Sequence, residues 1–188
     1  MKTSVRQRLL SAATILLLLA AVVFCNSFFP PALNIVLAVI SVMGIWELFS
    51  ALHLTKKLAL SVPSAILAAV LPFLPDSFAR GVAFFLYTVV LFSAMIRHHQ
   101  TITFREVAVI YSMTILIPTA LETLVGLRNL GGSHGMFYVI VTIFAAWAAD
   151  AGAYVFGSRF GKHKLCPNIS PKKTVEGVVA GVLVNIAM

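Results

Sequence analysis

The stretch 150–176 concentrates chemistry-bearing side chains in a chain where they are scarce. It reads Asp-Ala-Gly-Ala-Tyr-Val-Phe-Gly over 150–157, Ser-Arg-Phe-Gly-Lys-His-Lys-Leu-Cys-Pro over 158–167 and Asn-Ile-Ser-Pro-Lys-Lys-Thr-Val-Glu over 168–176. Asp150 follows a long apolar run, and burying a carboxylate in lipid costs a few kcal/mol even on lenient scales. Such an acid holds a cation or positions water, unless it snorkels or pairs with a nearby lysine. Helical spacing puts Asp150, Ala153, Tyr154 and Gly157 on one face, small apart from the phenol, suited to packing or to bordering a wet cavity. Further on, Ser170-Pro171 reads as a helix start, with Ser as N-cap and Pro at the first helical position. Lys172 and Lys173 then fall in the first turn, where a cation costs about 0.3–1 kcal/mol. Two lysines beside free N–H groups make sense if an anion docks there, phosphate above all, with the Ser170 and Thr174 hydroxyls as further contacts. The competing reading is an ordinary basic loop on anionic headgroups, about 1 kcal/mol per Lys or Arg. Gly157, Gly161 and Gly177 permit close backbone approach.

These residues need elements to hold them, and composition says which kind. Of 188 residues, 60% are hydrophobic and 11% charged, with a mean hydropathy of +0.99. A soluble domain carries about 25% charged residues, so the bilayer must be the solvent for most of this surface. A net charge of +8 would suggest nucleic acid in a soluble protein. Here the Lys and Arg cluster between apolar runs, which favours a membrane and excludes a nucleic-acid partner. No repeat of fixed period is present. Cys25 and Cys166 have neither metal nor redox spacing and read as unpaired thiols.

Apolar stretches long enough to span lie at 9–29, 31–52, 58–74, 81–96, 107–125 and 136–156, with a seventh over 177–188. The expected fold is all-α, a polytopic helical membrane bundle of about six full spans plus part of a seventh, in one domain over 1–188. Residues 157–176 form its motif loop. With the N-terminus cytoplasmic, twelve basic residues lie on that side: Lys2, Arg6, Arg8, Lys56, Lys57, Arg97, Arg105, Arg159, Lys162, Lys164, Lys172 and Lys173. Only Arg80 and Arg128 face the other. The positive-inside rule therefore sets both the span count and a cytoplasmic N-terminus and motif loop. Lys2, Arg6 and Arg8 before a Leu-rich run resemble a secretory signal, but no small-x-small site follows, so this reads as an uncleaved first span.

Glu47 has Lys56 or Lys57 as a candidate partner, and its structural and functional readings stand level. Glu122 is expected to reach water at the outer end of the fifth span. His98, His99 and His163 lack metal spacing and read as interfacial. Gly177 and Gly181 make a small-xxx-small pattern suited to helix packing.

The run Asp-x-Gly-Ala-Tyr-x-x-Gly-x-x-Phe-Gly-Lys-x-Lys-Leu-x-Pro-x-Ile-Ser-Pro-Lys-Lys-Thr-x-Glu-Gly, from 150 to 177, is similar to the central cytoplasmic stretch of phosphatidate cytidylyltransferases (CDP-diacylglycerol synthases). The Arg-Gln-Arg-Leu-Leu-Ser-Ala run at 6–12 and the pair Trp46-Glu47 resemble the same family less specifically. Ala151 stands where Ser or Thr often follows the aspartate. The resemblance implies transfer of CMP from CTP to phosphatidic acid, giving CDP-diacylglycerol and pyrophosphate in the inner (plasma) membrane of a bacterium. It implies a divalent metal, normally Mg2+, and membrane lipids as surroundings, with a homodimer as an assembly it allows. It gives Asp150 and Lys173 catalytic roles, and assigns Ser170, Lys172, Lys173, Thr174, Lys162, Gly157 and Gly161 to substrate. Asp150 and Glu176 are the carboxylates it offers to metal.

Family members continue to a C-terminal signature of the form Ser-x-x-Lys-Arg … Lys-Asp … His-Gly-Gly-x-x-Asp-Arg-x-Asp, rich in acidic residues, whereas this chain stops at Met188 inside the expected seventh span. A two-metal site needs several carboxylates, so the 188-residue chain by itself is expected to turn over nothing. The alternative function is a non-catalytic membrane protein binding anionic lipid or a partner through its basic loop. A transporter would place broken helices and polar residues at mid-depth in paired halves, which this pattern does not.

Overall fold

The computed structural model describes the backbone of residues 5–188, and side chains from residue 13 onward except that of Ile15. Lys2, Arg6 and Arg8, the N-terminal orientation markers, lie outside the described side chains. The chain divides into two compact units, one up to Gly126 and one from Leu127.

The first unit holds α1 (Val5–Phe28), α2 (Ala32–Ala51), α3 (Leu58–Val70), α4 (Ser77–Arg97) and most of α5 (Phe104–Leu130). Each apolar run becomes a helix because its breaks carry the right end chemistry. The prolines at 30 and 31 separate α1 from α2. After α2, Leu54 N–H donates to Phe49 O (2.8 Å) and His53 N–H to Ser50 O (3.1 Å), with His53 at φ 56°. That is a Schellman stop, and its apolar contact is made by Phe49 and Leu54, both in the core. Asp76 caps α4 by accepting from Ala79 N–H (2.7 Å). Thr103 and Glu106 form a reciprocal capping box at α5, with Thr103 N–H donating to Glu106 (2.9 Å) and Glu106 N–H to Thr103 Oγ (3.3 Å). These caps explain why α4 and α5 start a few residues before the apolar stretches 81–96 and 107–125.

The core of this unit is apolar around Ile45, Phe49, Leu60, Leu67, Leu91, Val107 and Ile110. Several of its polar groups are paired across helices. Ser64 shares a hydrogen bond with Tyr87 (3.0 Å) and Thr88 with Tyr111 (3.1 Å), while the two tyrosine rings stack at 5.9 Å. Two expectations are corrected here. Lys57 pairs with Glu106 (2.7 Å), not Glu47, because the chain brings the start of α5 to the turn before α3. Glu122 is buried and bonded to Arg80 Nη1 at 2.7 Å instead of reaching water, since α4 begins beside it with a guanidinium.

The second unit holds α6 (Gly135–Phe160), a two-stranded antiparallel ribbon of β1 (Lys164–Cys166) and β2 (Ser170–Thr174), and α7 (Val175–Ala187). α6 and α7 pack through small residues. A Cβ on Gly177 would fall 2.8 Å from Ala153 O, and one on Gly181 2.9 Å from Ala149 O. The small-xxx-small stripe is therefore a packing seam.

Among the described residues, four helical segments are long and apolar enough to cross a bilayer: Ala32–Ala51, Ser77–Arg97, Phe104–Leu130 and Gly132–Phe160. Shorter apolar helical stretches are Leu16–Phe28, Leu58–Phe73 and Val175–Ala187. Their outer surfaces expose Phe, Leu, Ile and Val in quantity, as lipid-facing helices do. The all-α bundle holds, apart from the ribbon, and the chain is an integral membrane protein. The helix start at Ser170-Pro171 does not hold. Ser170 opens β2, and α7 starts at Val175 with Thr174 as N-cap. The physical reason is charge: this start puts Glu176 in the first turn instead of two lysines.

Candidate functional site

The site is built where α6 ends and α7 begins. α6 stops at Phe160 and Gly161 takes the chain out of the helix at φ −68° ψ 114°. That φ suits any residue, so the glycine is there for space. A Cβ on Gly161 would lie 2.3 Å from Gly157 O and 2.5 Å from Thr174 Cγ2. A Cβ on Gly157 would lie 2.9 Å from Thr174 Oγ1 and 3.2 Å from Gly177 Cα. Thr174 is thus wedged among three glycines, with only 4% of its surface exposed. Its hydroxyl accepts from Gly177 N–H at 3.3 Å.

The start of α7 is closed by the chain itself. Val175 N–H donates to His163 O (3.0 Å). The Glu176 carboxylate accepts from His163 Nδ1 (2.6 Å) and from the His163 backbone N–H (3.2 and 3.3 Å). Its own backbone N–H first, and the His163 ring second, hold the Glu176 carboxyl at about 2 instead of 4.5. Glu176 precedes the apolar part of α7 and is an anion at any pH a cell maintains.

The ribbon and the end of α6 leading into it carry the charge. Arg159, Lys162, Lys164, Lys172 and Lys173 are all exposed, and none has an ion-pair partner among the described residues. Lys164 pairs with Thr174 and Cys166 with Ser170, so Pro171, Lys172 and Lys173 bulge out opposite Leu165 alone. An open apolar groove of about 580 Å³, lined by Phe156, Phe160, Val179 and Leu183 among others, runs beside Glu176.

The residues singled out in the sequence therefore divide. Lys162, Ser170, Lys172 and Lys173 come together on the ribbon or at its root. Thr174, Gly157 and Gly161 form the wedge beneath it, and their space is filled by one another. Asp150 is exposed on α6, seven residues before Gly157, or ~10 Å of helix rise. Of the face it was expected to share, Ala153 and Gly157 pack on α7 while Asp150 and Tyr154 remain exposed. Glu176 is bonded to His163, beyond the end of α6. These two carboxylates do not converge, and no three His, Cys, Asp or Glu side chains cluster for a metal among the described residues. A magnesium ion would find at most one of them at a time, so they do not by themselves make its site. Sequence reasoning missed His163, read as interfacial. The signal was Thr174 followed by Glu176, a better cap and first turn than Ser170 followed by lysines.

The chain matches the model of the cytidylyltransferase family over residues 6–188. It is 30% identical over 158 residues to the phosphatidate cytidylyltransferase of Bacillus subtilis (strain 168), covering 78% of this chain and 58% of the relative. The phosphatidate cytidylyltransferases of Staphylococcus saprophyticus and Staphylococcus haemolyticus are 48% and 44% identical over 54 residues, 29% of this chain and 21% of each relative. No solved structure gives a significant match. The chain thus spans well under two-thirds of the length of these relatives. One family description accounts for nearly every residue, ribbon and wedge included, and the chain belongs to the cytidylyltransferase family.

Proposed function

We propose that the chain serves transfer of CMP from CTP to phosphatidic acid at the cytoplasmic face of a bacterial plasma membrane. A phosphatidate oxygen bonds to the α-phosphorus of CTP as the bond to the β-phosphate bridging oxygen breaks, leaving CDP-diacylglycerol and pyrophosphate. The observation that carries this is the ribbon: exposed lysines with no acid of their own, since the nearby Glu176 is already engaged by His163. Lys172, Lys173 and Lys162 bind the triphosphate and neutralise the pyrophosphate as it leaves, with Ser170 as a hydroxyl donor. In phosphoryl transfer, positioning and neutralisation supply most of the catalysis. Asp150 is the acid at membrane depth, fit to hold water or to lend one ligand to a cation. Magnesium would supply further charge neutralisation on the phosphates, and its remaining ligands are not found among the described residues. The apolar groove beside the ribbon suits the tails of a lipid substrate. The relatives' names and the charge asymmetry of the loops support the same reading.

The test is CDP-diacylglycerol formation in membranes from CTP, magnesium and phosphatidic acid, by this chain alone and joined to the remaining part of the B. subtilis relative. Product that requires both substrates and falls at least a hundredfold with Lys173→Ala or Asp150→Ala is expected from the joined form. No product from either form, with insertion verified, would turn the reading to lipid or partner binding by the basic ribbon.

A further inference from the structure

A two-stranded ribbon with strands of three and five residues is marginal in water, yet this one carries the lysines that must hold a triphosphate in place. At its far end only a turn closes it, Ile169 N–H donating to Cys166 O at 3.1 Å. At its root, β2 is anchored by the Thr174 wedge. β1 has no such wedge: its link to α7 is His163, one residue before the strand. There His163 gives its carbonyl to Val175 N–H (3.0 Å), and its backbone N–H and ring Nδ1 to the Glu176 carboxylate. One carboxylate thus grips both the backbone and the side chain of the residue just ahead of the ribbon. The family resemblance offers Glu176 to a metal, but its oxygens are engaged by His163.

We infer that His163 and Glu176 are positioning residues, a clasp that fixes the root of the ribbon and so sets where Lys172 and Lys173 meet phosphate. Its consequence for nucleotide rests on the function proposed above; the clasp itself does not. His163 is largely exposed, and exposed pairs contribute little individually, so the expected effects are moderate.

The experiment is hydrogen exchange of the chain in phosphatidylcholine nanodiscs without nucleotide, read over 161–176. His163→Ala and Glu176→Ala are each expected to speed exchange about threefold to tenfold, and the double variant no more than either alone. Glu176→Gln, which keeps an acceptor for the His163 N–H, should lie between and serves as the variant least able to disturb folding. Unchanged exchange in either single variant, or effects that multiply in the double, would overturn the clasp. In the same preparations the Kd for CTP should rise by a similar factor in both single variants, with and without magnesium. If Glu176→Ala weakens CTP only when magnesium is present and His163→Ala does not, Glu176 is a cation ligand and the inference is wrong. If the unaltered chain binds no CTP, the proposed function fails, while the exchange result still decides the clasp.

Discussion

Gly161 shows how a single residue type serves this corner. Its backbone is ordinary, and what it offers is the absence of a Cβ where Gly157 O and the Thr174 methyl already stand. Gly161→Ala should cost about 1–3 kcal/mol as overpacking does, seen as a lowered thermal midpoint in detergent. Gly81→Ala is the control: nothing lies within 4 Å of its Cβ position in α4, and alanine there should stabilise by about 0.5–1 kcal/mol. Equal effects at both positions would contradict the wedge. At this scale the sequence was legible in part. Asp150 and the lysines stand out because charge is scarce in the chain. Glu176 did not reveal its partner, because a hydrogen bond to a residue thirteen positions earlier follows only once the ribbon has turned.

Elements were more legible than their junctions. Apolar runs dictate helices in lipid, since a spanning backbone must satisfy its own hydrogen bonds, and each expected stretch from 31 onward falls on a helix. The ribbon escaped because Ser-Pro signals a helix start locally, while pairing with Lys164–Cys166 is a contact across a loop. Burial between helices was equally hidden. Arg80 and Glu122 look like solvated ends in sequence, but they meet at 2.7 Å with the Glu122 side chain only 8% exposed. Arg80→Ala should therefore strand a buried carboxylate and cost about 2–3 kcal/mol. That is below the full penalty for a buried pair, because the arginine is partly solvated. Arg80→Met with Glu122→Leu should recover most of the loss in thermal unfolding. A loss in the double variant as large as in Arg80→Ala would contradict this account.

For the whole molecule, the bilayer sorts the residues: apolar side chains cover the exposed helix surfaces, and Lys164, Lys172 and Lys173 stand out on the ribbon. Basic residues crowd one side of the expected topology, which predicts a cytoplasmic ribbon. Cys166, exposed on β1, reports this directly. With Cys25 replaced by alanine, a membrane-impermeant maleimide should label Cys166 in inside-out vesicles and not in intact cells made permeable only at the outer membrane. Labelling in intact cells would reverse the topology.

The most direct test of the central claim is equilibrium binding of CTP to the chain in nanodiscs. Saturable binding that pyrophosphate displaces, and that the Lys172→Ala/Lys173→Ala pair weakens at least tenfold, is the predicted result. Saturable CTP binding unaffected by that pair, or none at all in a properly inserted chain, would contradict it.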